Sequence, residues 1–198
     1  VTRRQVVGFV VVLALVGVGL LLKSQRKDVS SAVDLGPLRK AAKLAPCPPG
    51  LGPEVPDVTL PCLGGGKAVA LRGAAPGVPT LVNVWGSWCG PCVAEVPELV
   101  AFTEKAAGRV AVVGVDTEDA PADGLRFAAQ HGMHYASVVD DDKHVLRKAG
   151  VDGQPVAVGP PVTLFLDAAG HITYRHRGQF HSLAEIEKLV STHLGVTL

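Results

Sequence analysis

No charge of either sign dominates this chain: 19 Lys and Arg stand against 18 Asp and Glu in 198 residues. A formal charge of +1, with no basic stripe along the sequence, argues against the electrostatic footprint that nucleic-acid binding needs. Cysteine is scarce, 4 in all, and only Cys89 and Cys92 form a CxxC. No second CxxC or paired histidine follows at zinc spacing, which disfavours a structural zinc module. The 7 His are scattered. His131 and His134 lie close together, yet no carboxylate or cysteine joins them at a metal-binding interval, so they read as surface or loop residues. Internal repeats are absent, and the length suits one ordinary domain plus a tail.

Charge is missing altogether from Val6 to Leu22, between Arg3-Arg4 and the basic Lys23, Arg26 and Lys27. At ~1.5 Å per helical residue, such a run barely spans a bilayer core of ~30 Å. A cleaved signal peptide would place a small-x-small site close behind it, but the nearest, Ser30-Ser31-Ala32, is far downstream. The expectation is an uncleaved transmembrane signal-anchor over residues 6–22, with residues 1–5 in the cytoplasm. Basic residues at both ends leave orientation to other evidence. The four cysteines fall into two pairs, which suits an oxidising compartment, so the rest of the chain is expected outside the cell membrane. Residues 23–52 then read as a linker, ending in the proline-rich run Pro46 to Pro53, and residues 53–198 as the folded domain.

Within that domain, Val58-Thr59-Leu60 and Ala68-Val69-Ala70-Leu71 predict a hairpin around Gly64-Gly65-Gly66. Thr80 to Trp85 is apolar nearly throughout, as for a strand covered on both faces. A helix follows Cys92, and Arg109 to Asp116 predicts a second buried strand. A helix from Pro121 to His131, a strand near Tyr135 to Val139 and a short helix from Lys143 to Ala149 come next. Val162–Leu166 and His171–His176 predict a hairpin, and Ser182 with Glu185 three residues on predicts a capped final helix. Strands alternating with helices imply an α/β domain with a mixed central sheet.

Trp88-Cys89-Gly90-Pro91-Cys92 sits where the strand hands over to the helix. Helix-terminal amides stabilise a thiolate, lowering the pKa of the first cysteine. Cys89, at the expected exposed start of the helix, is therefore the candidate nucleophile. Cys92, one turn in, would resolve the mixed disulfide. A disulfide across so short a loop adds little chain-entropy stabilisation, which favours exchange over stapling. Cys47 and Cys62 bracket the start of the domain. They read as a structural disulfide contributing ~3 kcal/mol in the chain-entropy model, with a second redox pair as the alternative.

Trp88, the Gly90-Pro91 pair, the preceding strand and Pro97 inside the following helix together resemble the thioredoxin-like family, specifically its membrane-anchored TlpA/ResA-type branch. The resemblance covers roughly Pro53 to Leu198. It implies a thioredoxin fold, helices on both faces of the sheet, with an N-terminal β-hairpin and a central helix-strand insertion, and a thiol-disulfide oxidoreductase activity carried by the Cys89–Cys92 disulfide without a further cofactor or metal. It also implies a carboxylate, Glu95, one turn beyond Cys92; a solvated helix residue is the competing reading. Asn83 stands where cytoplasmic thioredoxins place a buried aspartate. The family's cis-proline is expected at Pro161, with Pro155 as rival. Pro160 departs from the pattern, because it removes an N–H that a pairing substrate strand would use. Trp88, Gly90, Pro91 and Pro160 would flank the substrate.

Gly-Pro between the cysteines resembles reducing thioredoxins (~−270 mV) rather than strong oxidants (~−120 mV). The branch implies electrons from a membrane thiol carrier of the CcdA/DsbD type, and apocytochrome c or other exported disulfides as substrate. An extracytoplasmic oxidase and a Cu(I)-binding metallochaperone are the alternatives. A peroxidase lacks its threonine-containing proline loop here.

Overall fold

The computed structural model describes residues 33–148 and 159–198. The apolar run Val6–Leu22 and the rival proline Pro155 lie outside them. Among the described residues no helix is long and apolar enough to cross a membrane.

The compact unit begins at Leu35, inside the stretch read as a linker. Helix α1 (Gly36–Ala42) carries Pro37 in its first turn, where the missing N–H costs nothing. Leu35, Leu38 and Ala42 recur at helical spacing and pack into the core, Ala42 with no exposed surface. The linker expectation is therefore corrected for residues 35–52. The proline-rich run marks only where α1 must already have ended, and Leu51 within it is fully buried.

Strands β1 (Thr59–Leu60) and β2 (Val69–Ala70) pair antiparallel as the expected hairpin. The main sheet contains β3 (Thr80–Trp85), β4 (Ala111–Thr117), β5 (Ser137–Asp140), β6 (Val162–Leu166) and β7 (Ile172–Arg177), ordered β5-β4-β3-β6-β7. The β3–β4 and β4–β5 pairs are parallel; β6 is antiparallel to β3, and β7 to β6. Every residue of β3 is buried, the polar Thr80 and Asn83 included, as fits a nearly continuous apolar run at the centre of a two-faced sheet.

Helices α2 (Gly90–Ala106), α3 (Pro121–His131) and α5 (Leu183–Leu194) pack with α1 on one face. That core gathers Leu81, Trp85, Leu99, Phe102, Phe165 and Phe180. Helix α2 continues through Pro97. Ser182 caps α5 by accepting from the Glu185 amide. The second face is covered by the β1–β2 hairpin and by Val145 and Leu146 of α4 (His144–Lys148). Helices thus lie on both faces as expected, but unevenly: among the described residues the second has one short helix, and Val82, Val84, Val113 and Val115 share its core with the hairpin and Leu51.

The extended stretch Pro61–Leu63 lies along the outer side of β5. The Leu63 amide donates to Ser137 O at 2.8 Å and the Val139 amide to Pro61 O at 2.9 Å. The Cys47–Cys62 disulfide, with Cα atoms 6.0 Å apart, ties the proline-rich run to this stretch.

Candidate active site

Strand β3 ends at Trp85, and Gly86 to Trp88 turn the chain into α2. Cys89 is the N-cap of α2: its Sγ accepts from the Cys92 amide at 3.2 Å. A sulfur in this seat faces unpaired helix-terminal amides, the environment that stabilises a thiolate. The two sulfurs are joined, with Cα atoms 5.2 Å apart. The turn is fastened from β4 and the loop after it: the Ser87 amide donates to Asp119 Oδ2 at 2.7 Å, and the Trp88 indole to Thr117 O at 3.2 Å.

The exposure of Cys89 differs from expectation. The residue is 4 % exposed and Cys92 0 %. In the disulfide, Cys89 Sγ turns inward toward Cys92 and lies 3.5 Å from Pro160 O. Its neighbours form the solvent-facing rim: Trp88 is 54 % exposed, and Gly90 and Pro91 are exposed beside it. The difference between the two cysteines is in the expected direction but small.

The Pro160-Pro161 peptide bond is cis, as expected for Pro161. Pro161 is buried just before β6, with Pro160 partly exposed ahead of it. This loop sets the Pro160 carbonyl against Cys89.

Glu95 is fully buried, so the solvated reading does not hold. Its Oε1 accepts from Asn83 Nδ2 at 2.8 Å and its Oε2 from the Phe180 amide at 3.1 Å. Asn83 also donates to Thr163 Oγ1 at 3.1 Å. Burial raises the Glu95 pKa and outweighs the two hydrogen bonds, which lower it, leaving the carboxyl at about 7. A group titrating there can take or give a proton at neutral pH. Thr163, which orients Asn83, carried no signal in the sequence beyond facing Asn83 across the β3–β6 register.

His131 packs against Phe127 with the rings tilted and their centroids 4.4 Å apart, and His134 Nδ1 sits 3.2 Å from Ala42 O. Neither comes near the dithiol turn through any of these contacts.

The redoxin family model matches residues 51–190, which takes in the turn, the Glu95 helix and the cis-proline loop. This chain belongs to the redoxin family. Among redoxin relatives, the thiol:disulfide interchange protein DsbE of Xylella fastidiosa (strain Temecula1) is 31% identical over 140 residues, 71% of this chain and 68% of that protein. The thiol:disulfide interchange protein HelX of Rhodobacter capsulatus is 32% identical over 127 residues, 64% of this chain and 68% of that protein. The solved structure of Mycobacterium tuberculosis DsbF superposes with a TM-score of 0.59 at 22% identity, covering 71% of this chain and 98% of that one. This redoxin is a thioredoxin-like thiol-disulfide oxidoreductase.

One buried acid of this redoxin was not singled out in the sequence. Asp116, at the end of β4, has no exposed surface, and neither carboxyl oxygen meets a hydrogen-bond donor. Its only sequence signal is an acidic residue closing the apolar run from Val110 to Val115.

Proposed function

We propose that this redoxin is held at the cytoplasmic membrane by Val6–Leu22 and reduces disulfides of exported proteins on the extracytoplasmic side, with apocytochrome c the first candidate. The observation supporting the exchange chemistry in this reading is the placement of Cys89 Sγ, between the Cys92 amide at 3.2 Å and the Pro160 carbonyl at 3.5 Å. In the reduced protein the Cys89 thiolate attacks a substrate disulfide, and one substrate sulfur leaves as a thiolate. Cys92 then loses its proton and attacks Cys89 Sγ, which releases the second substrate thiolate and leaves the Cys89–Cys92 disulfide. Glu95, titrating at about 7 one turn from Cys92, is suited to take that proton. A membrane thiol carrier of the CcdA/DsbD type would return two electrons.

Substrate choice follows from the rim. Trp88 offers an exposed ring, and Pro160 offers a carbonyl but no N–H. An extended substrate pairing with this loop loses one donor, which supports a narrow set of partners. The likeness to proteins named for thiol:disulfide interchange supports the exchange chemistry.

The test is to mix the reduced full chain with a peptide carrying the oxidised CxxC of an apocytochrome. Reduction of the peptide is expected, its loss in Cys89→Ala, and a trapped mixed disulfide in Cys92→Ala. An equilibrium potential near that of strong oxidants (~−120 mV), with the pair found oxidised in cells, would reverse the direction and make the protein an oxidase.

A further inference from the structure

Asp116 stands beside Trp85 in the β3–β4 register, on the face covered by α3. A Cβ added at Gly124 of α3 would overlap Asp116 Oδ2, so glycine there is what lets the helix close over the carboxyl. The groups acting on Asp116 are all acids: Asp119 from the loop after β4, Asp123 from α3 and Asp141 following β5. Asp123 is itself engaged by Arg126 at 2.6 Å. A buried carboxylate among carboxylates has nothing to accept from. Once one oxygen carries a proton, it becomes a donor, and Asp119 is the acceptor at hand. Asp119 in turn holds the Ser87 amide at 2.7 Å.

We propose that Asp116 is a positioning residue for the exchange site: its carboxyl group anchors Asp119, and Asp119 fixes the Ser87–Trp88 turn that presents Cys89. Asp116 acts through Asp119 and Ser87, and none of its contacts reaches the sulfurs. Burial first, and then its acidic neighbours, push its pKa up to about 8, so the anchor is intact at neutral pH. Above that value the proton passes to solvent base, the donor to Asp119 is lost, and two like charges face each other across the turn. Loosening the turn then opposes the gain in thiolate that alkaline pH brings.

The test uses the oxidised full chain in detergent, where no cysteine of the exchange pair titrates, with 15N at both tryptophan indoles. Only Trp85 and Trp88 report, and both adjoin the proposed anchor. Between about pH 6 and 10 the Trp88 indole signal, bonded to Thr117 O, is expected to shift with a midpoint near 8. Asp116→Asn keeps a donor toward Asp119 and should abolish that shift, holding the low-pH position throughout. Glu95→Gln should leave it in place. Asp119→Asn removes a like charge and should move the midpoint lower. With reduced protein and a small disulfide, Asp116→Asn should keep accelerating as pH rises, overtaking the parent by roughly tenfold at high pH. A flat parent titration overturns the proposal, as does a midpoint near 8 that persists in Asp116→Asn; a variant that fails to fold leaves the parent and Asp119→Asn titrations to decide. The rate effect presupposes that Cys89–Cys92 exchanges; the indole titration does not, so the two readings fail separately.

Discussion

Asp116 and Glu95 are both fully buried carboxyl groups, and their energetics have the same sign. Asp116 and Glu95 both have folded pKa values above the ordinary carboxylate range, at about 8 and about 7. The folded chain therefore keeps protons that the unfolded chain has released. For Asp116 the stability is greatest below the unfolded value near 4, falls as pH rises, and levels off above about 8. Asp116→Asn should accordingly raise the unfolding temperature at pH 8, with an advantage that shrinks toward pH 4. The upper bound is on the order of 1.4 kcal/mol for each pH unit in that window. Thermal unfolding at both ends of the window checks it; an advantage that does not change with pH would point to packing instead. Glu95→Gln is different, because both carboxyl oxygens accept. An amide nitrogen would have to face either Asn83 Nδ2 or the Phe180 amide, donor against donor, so stability should not rise. Its exchange rate at neutral pH should fall about 10- to 100-fold, and the cysteine titration curves should shift; unchanged curves would reject a proton-handling role. The placement of Glu95 one turn beyond Cys92 was visible in the sequence. Its burial was not, because Phe180, which closes over it, lies 85 residues away.

At the scale of elements, local patterns were legible where a segment's own residues decide its state. The nearly continuous apolar run of β3, the span of α3 from Pro121 to His131 and the Ser182 cap all match. Helix α1 was hidden because the prolines that follow it give the whole stretch a linker's composition, and only the spacing of Leu35, Leu38 and Ala42 marks a helix with one buried side. Asp116 was hidden for a related reason: Gly124, which makes room for it, belongs to another element. The Cys47–Cys62 disulfide is expected to hold α1 and the proline-rich run on the domain. It should resist a reductant that opens Cys89–Cys92, and a Cys47→Ala, Cys62→Ala double variant should lose about 3 kcal/mol of stability. Mass spectrometry under graded reduction separates this from a second redox pair, which would open together with the first. Pro160→Ala restores an N–H at the loop facing Cys89. Activity on unrelated protein disulfides should rise relative to the apocytochrome peptide; an unchanged ratio would show that substrate choice lies elsewhere.

For the whole molecule, the mixed five-stranded sheet and the separate hairpin were foreseeable from the order of elements, whereas the lopsided distribution of helices, with the hairpin covering one face, was not. Which face a helix takes depends on its packing partners, and those are not written in its own periodicity. The stretch Pro61–Leu63 has a consequence for molecules crowded side by side. It occupies the hydrogen-bonding row that β5 would otherwise offer to a neighbour, while the opposite border of the sheet, β7, carries Arg175, His176 and Arg177. One margin is filled and the other bears basic side chains, so sheets of adjacent copies have no ready way to fuse into a continuous ladder.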